Sequence, residues 1–170
     1  MGGRLSANRV TPEWKINIRL DGTHDYERFE LDDTTTYTNE TDDWDFGAMF
    51  VRSLSTHWSA GTLWSANTST RLNRKLGGEA ALALEWNYFP YAQANRRQLI
   101  LHYQLGVSRV EYEDTTIFGK TEETLYDQRL VAVYDTRQPW GNVSFSAEYS
   151  NLLHDFSKFR AATRVRTNFR

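Results

Sequence analysis

Three observations on this 170-residue chain predict an all-β fold, an eight-stranded antiparallel barrel in up-and-down order. Large apolar or aromatic residues recur at every second position in "WSAGTLWSA" (58–66), "ALALEWNYF" (81–89) and "LILHYQLGV" (99–107), the period of a strand with two unlike faces. Clusters of Gly, Asn, Asp, Ser and Thr cut the chain at short intervals, and Pro is confined to positions 12, 90 and 139. No helical period persists, while Thr and the aromatics, 14% of the chain, favour a pleated surface.

Residues 1–11 are expected to be a flexible N-terminal segment and 12–170 a single domain of the size one core supports. The first strand, 12–31, sets Trp14, Ile16, Ile18 and Leu20 against Lys15, Asn17, Arg19 and Asp21. After "LDDTTT" the second, 34–54, carries Trp44, Phe46, Ala48 and Phe50 on one side and Asp45, Gly47 and Met49 on the other. "SLST" leads to the third, 56–71, with Trp58, Ala60, Thr62 and Trp64 opposed to His57, Ser59 and Gly61. "RLNRKLGG" precedes the fourth, 76–91, in which Ala80, Leu82, Leu84, Trp86 and Tyr88 alternate with Glu79, Ala81, Ala83, Glu85 and Asn87. "FPYAQANRR" connects to the fifth, 96–113, with Leu99, Leu101, Tyr103 and Leu105 against Gln98, His102 and Gln104. The sixth, 121–137, places Leu130, Ala132 and Tyr134 opposite Arg129 and Asp135. The seventh, 140–153, and eighth, 156–170, add Val143, Phe145, Ala147, Tyr149, Phe159 and Val165, with Ser144, Glu148, Arg160, Arg164 and Arg166 on the other face.

Most apolar stripes are about nine residues long, the length a tilted strand needs to cross a bilayer core. The other face mixes long ionic chains with Gly, Ala and Ser, and the chain has only four Lys against sixteen Arg. That mixture suits a narrow lumen filled by forked Arg bonds. The expected arrangement is therefore a transmembrane barrel with Trp14, Ile16, Ile18, Phe46, Phe50, Trp58, Trp64, Leu82, Leu84, Trp86, Leu99, Leu101, Leu105 and Phe145 towards lipid. Arg19, Asp45, Glu85, His102, Arg129, Asp135, Glu148, Arg160, Arg164 and Arg166 form the expected lumen network. Trp14, Phe50, Trp58, Tyr88 and Tyr134 fall at the stripe ends near the "SLST", "FPYAQANRR" and "TRQPWG" turns, where an interfacial girdle belongs. Alternation alone also fits a soluble lipocalin-like calyx for apolar ligands, with the greasy face turned inward, or a β-sandwich.

Composition narrows the function classes. Mean hydropathy is -0.66 and no apolar run approaches the ~18 residues of a membrane helix, which leaves only strands to cross a bilayer. There is no Cys, hence no disulfide, thiolate nucleophile or Cys-held metal. "MGGRLSANRV" has neither a charged n-region nor an apolar h-region, so a secretory signal is expected to have been removed already.

The segments "EWKI", "NYFPYAQANRRQL", "TIFGKTEETLYDQ", "QPWG" and "LHDFSKFR" resemble an uncharacterised family of bacterial outer-membrane β-barrel proteins, from about residue 12 to 160. The resemblance implies the outer membrane of a Gram-negative cell and no established activity. It also implies a barrel that continues past "LHDFSKFR" and ends on an aromatic residue; here Phe169 is penultimate, as in a truncated or engineered member.

Eight strands closed by pairing the last with the first would enclose side chains rather than an open channel. Residues 21–45 hold ten acids (Asp21, Asp25, Glu27, Glu30, Asp32, Asp33, Glu40, Asp42, Asp43, Asp45) and one base, Arg28, while 156–170 hold Lys158, Arg160, Arg164, Arg166 and Arg170 without an acid. Closure would bring Arg160 to Asp21 and Asp45, but would also set Arg164 and Arg166 beside Arg19 and Lys15, to be answered by Glu85, Asp135 and Glu148 across the lumen. A barrel with more strands, or an oligomeric wall, would instead be a pore or transport protein.

Candidate chemistry is sparse. His24-Asp25 lies in the first hairpin beyond the lipid stripe and His154-Asp155 in the last loop, which closure would make its neighbour, a placement compatible with water activation or Zn²⁺ ligation but read as polar loop residues. His57 and His102 are read as hydrogen-bonding lumen groups. The acidic hairpin could gather divalent cations and so bridge lipopolysaccharide, though a solvated acidic loop is the simpler reading. There is no HExxH, GxSxG or phosphate loop, and the bases are scattered, so no catalytic residue, cofactor, metal or nucleic-acid partner is assigned. The expected role is structural: a monomer anchored among membrane lipid or detergent, without enzymatic activity.

Overall fold

The computed structural model describes the backbone of residues 1–32 and 35–169; the side chains of 27–32, 35–37 and 39 are outside the description. Asp33 and Arg170, and the side chains of Glu27, Arg28, Glu30 and Asp32, therefore lie outside the described residues. Among the described residues nine strands form one sheet: β1 (Gly2–Val10), β2 (Trp14–Asp32), β3 (Thr35–Ser53), β4 (Trp58–Ser69), β5 (Arg74–Asn87), β6 (Arg97–Tyr112), β7 (Glu122–Gln138), β8 (Gly141–Leu152) and β9 (Asp155–Phe169). Their spatial order is the chain order, and every neighbouring pair is antiparallel. The eight expected strands are all present as β2–β9, with ends displaced by a few residues.

Two expectations are corrected. The strands number nine rather than eight, because residues 2–10, expected to be flexible, form β1 along the edge of β2. Thr11 makes the turn: its amide donates to the Trp14 carbonyl at 2.7 Å, and its hydroxyl accepts from the Trp14 amide at 2.9 Å. Pro12, with its fixed φ, suits the second position of that turn. Arg4 then pairs with Asp21, and the Asn17 side chain donates to that of Asn8, so β1 is held by its inner side chains as well as its backbone.

The second correction is that the sheet is open. β1 and β9 are its two edges and are not paired with each other. β1 occupies the side of β2 that the last strand was expected to fill. Because an odd number of strands alternates in direction, β1 and β9 also point the same way, so antiparallel closure of the last strand on the first is lost.

At the turn end, a short 3-10 turn, Tyr91–Gln93, links β5 to β6. At the other end Asn73, at φ 54°, follows the turn Thr70–Leu72. The left-handed backbone is one that Asn tolerates. Its side chain donates to the Asp114 carbonyl at 2.8 Å and accepts from the Asp114 amide at 2.7 Å, joining the β4–β5 and β6–β7 loops.

Candidate functional site

The register sorts side chains onto two faces across the whole sheet. Direct partners on one face include Ile18 with Ala48, Ala48 with Trp64, Thr62 with Leu82, Leu82 with Leu105, Trp86 with Leu101, Leu101 with Ala132, and Tyr134 with Phe145. Trp14, Ile16, Phe46, Phe50, Trp58, Leu84 and Leu99 fall on the same face by the same registers. This face is uncovered: Leu82 is 66%, Trp64 51% and Leu84 42% exposed. Contiguous apolar surface left exposed in this way is the kind that serves protein–protein, membrane or ligand contact.

The turn-end rim of this face is aromatic. Trp58 and Trp86 lie 6.4 Å apart, Trp86 and Tyr88 6.0 Å in an edge-on arrangement, and Tyr88 and Phe89 4.9 Å. Two arginines complete it: Arg97 lies over Phe89 at 4.3 Å and Arg52 over Trp14 at 5.5 Å. Each guanidinium is held against a ring face, where the quadrupole attracts it. One polar ladder crosses the apolar face nearer the other end. The Tyr103 hydroxyl donates to Gln128 at 2.8 Å and the Gln128 amide to Asn151 at 3.0 Å. Asn151, only 3% exposed, also donates to the Leu152 carbonyl, so the ladder's amides are bonded within the sheet.

On the opposite face Ser59, Asn87 and Gln104 are buried, whereas Arg19, Arg129 and the arginines of β9 remain exposed. Asn87 donates to Glu85 at 2.9 Å, and its carbonyl lies 2.7 Å from Nδ1 of His57, which faces this side. His102 is the direct cross-strand partner of Glu85, with Nδ1 4.0 Å from the carboxylate. Arg129 donates to Glu148 at 2.8 Å, and Gln98 donates to Asp135. Arg19 pairs with Asp21 at 2.7 Å, a close charge contact without hydrogen-bond alignment.

Not every expected member joins this network. Asp45 stands directly opposite Asp21 on one side and Asn67 on the other. Arg160, Arg164 and Arg166 face Ser150, Ser146 and Ser144 of β8. Among the described residues none of the three has an ion-pair partner. The expected approach of Arg160 to Asp21 and Asp45 is corrected: β9 is one edge of the sheet and β2 lies next to β1, the opposite edge, so Arg4 of β1 takes Asp21 instead. The same separation removes the expected neighbourhood of His154 and His24.

His24 has a different set of partners. It is the direct cross-strand partner of Asp42 on the part of the β2–β3 ribbon that extends beyond the apolar stripe. Its Nδ1 is 2.6 Å from Asp42 Oδ1, and Nε2 is 3.9 Å from Glu40 Oε1. The hydrogen bond to Asp42, then the Asp42 and Glu40 charges, raise the imidazole pKa above its ordinary value. The protonated form thus stabilises the ribbon fully below the unfolded imidazole pKa of about 6.5, and this stabilisation is lost as pH rises through the higher folded value. An NMR titration is expected to give His24 a midpoint above that of an ordinary imidazole, and Asp42→Asn to bring it down. An unchanged midpoint in Asp42→Asn would contradict the pairing.

No protein-family model, curated protein or solved structure matches this chain at a significant level, so its functional reading rests on the chemistry of these two faces and of the ribbon.

Proposed function

We propose that this protein is an integral β-sheet protein of a bacterial outer membrane, with its apolar face against lipid and a structural, membrane-anchoring role without enzymatic activity. The observation that carries this reading is the uncovered apolar face, which runs from β2 to β9 above an aromatic rim. At about 25 cal/mol per Å² of apolar area removed from water, leaving it in solvent would forgo a large stabilisation that hydrocarbon supplies. Arg52 and Arg97, stacked on rim aromatics, fit the level of lipid phosphates. A soluble calyx would need the opposite arrangement, with Leu82, Leu84 and Trp64 turned inward.

The open sheet favours one second reading. A lipid-exposed edge leaves backbone groups unpaired at a cost of several kcal/mol each, so in a bilayer β1 and β9 require further strands. With such strands the sheet would form the wall of a wider barrel, and the polar face would line a pore.

Both readings are tested in vesicles containing brominated lipid. The refolded chain is expected to float with the vesicles after an alkaline wash, with Trp64 and Trp86 fluorescence quenched by bromines in the acyl region. A chain that stays monodisperse without detergent and shows no quenching would refute membrane insertion. Stepwise conductance in planar bilayers would select the pore; a folded, inserted and electrically silent preparation would select the structural role.

A further inference from the structure

The β2–β3 ribbon beyond the apolar stripe carries chemistry that membrane anchoring does not use. Its register sets His24 opposite Asp42 and Tyr26 opposite Glu40, so both carboxylates flank the imidazole on one face. His24, Glu40 and Asp42 each offer a ligand atom, and these lie within 4.8 Å of one another, all on exposed side chains. From this geometry we infer that the three residues form a binding site for one transition-metal dication of the Zn²⁺ type.

The two nitrogens of the ring divide the work. In the neutral ring, the form that binds metal, Nδ1, 2.6 Å from Asp42 Oδ1, donates its proton there, which fixes the tautomer and leaves the Nε2 lone pair free. Nε2 is 3.9 Å from Glu40 Oε1, beyond hydrogen-bond range. That gap is close to what two metal–ligand bonds of about 2.0–2.2 Å would span, with a small closing movement of the exposed Glu40 chain. Nε2 and Glu40 would hold the ion, and Asp42 is the positioning residue that orients the ring and strengthens its basicity. An imidazole nitrogen also selects the metal, since Ca²⁺ and Mg²⁺ prefer oxygen-only shells with more ligands than the ribbon supplies here. The remaining coordination positions are open to water or to an anionic oxygen from outside the chain. The ion would clip β2 to β3 at the level where Met1 bonds to the His24 backbone and the Thr70 hydroxyl donates to the Asp42 carbonyl at 3.3 Å. This inference stands independently of membrane insertion.

The test is calorimetric titration of ZnCl₂ into the full refolded chain in detergent, with imidazole ¹⁵N NMR as a second readout. One Zn²⁺ per chain is expected, with the His24 Nε2 resonance responding. His24→Ala, Glu40→Gln and Asp42→Asn should each weaken binding by roughly 10–100-fold, while His154→Ala leaves it unchanged. The inference is overturned if the wild-type chain takes up no Zn²⁺, if His24→Ala binds it as tightly, or if a tenfold excess of Ca²⁺ displaces it. None of those results would alter vesicle flotation, so the failure of one reading is separable from the failure of the other.

Discussion

Leu84→Arg is expected, on the proposed membrane reading, to lower the unfolding free energy in lipid vesicles by about 2–4 kcal/mol, the cost of placing a guanidinium near the bilayer midplane on a lipid-facing strand. Leu84 lies midway along the β5 stripe, with Ala60 and Tyr103 as direct cross-strand partners and 42% of its surface exposed. The same substitution on a water-facing strand would stay within about 0.5 kcal/mol, because Arg would keep its hydration and cover its neighbours with its stem. The two environments thus differ by a factor of ten or more in the folding equilibrium. Urea titrations of tryptophan fluorescence, with wild type and variant in the same vesicles, separate them. A difference below 0.5 kcal/mol would mean that water, not hydrocarbon, meets this face.

Gly61→Ala is expected to cost about 1–3 kcal/mol, for a reason that does not involve the membrane. A Cβ at position 61 would sit 2.7 Å from the Phe50 carbonyl oxygen and 2.9 Å from Cγ2 of Val51. The Val51 methyl can turn away, but the carbonyl belongs to the β3 backbone and moves only with the strand. Gly47, on the same inner face of β3, has open space where its Cβ would be. Gly47→Ala should therefore be neutral or stabilising by about 0.4–1 kcal/mol, because it restricts the unfolded chain without crowding the folded one. Denaturant midpoints of the two variants test this contrast directly, and equal effects would rule out the close approach of β3 and β4 at Gly61.

Eight of the nine strands were legible because their alternation is strong: stripes such as Ala80, Leu82, Leu84, Trp86 and Tyr88 leave one possible phase, and a one-residue slip would invert both faces. β1 was hidden by its composition. Its apolar side is Gly3, Leu5, Ala7 and Arg9, with a single large hydrophobic side chain, and only the "TPEW" turn before the β2 stripe signals a hairpin. Closure could not be read from periodicity, since one extra weak strand changes which edge is free and which way it runs. The His24 site was hidden differently. The adjacent Asp25 draws attention in the sequence, yet neighbours in a strand point to opposite faces. Asp42 becomes the partner only when the Ile18–Ala48 and Leu20–Phe46 register is carried outward along the ribbon.

The shared direction of β1 and β9 restricts how a complete wall could be built around this sheet. Hairpins arrive two strands at a time, so adding whole hairpins to either margin leaves the total odd and the final seam parallel. A second copy inserted with the same orientation would also meet the first through parallel seams. An all-antiparallel ring therefore demands an unpaired single strand, or three, from outside the nine, and the seam where that strand enters would be the natural place for the wall to part.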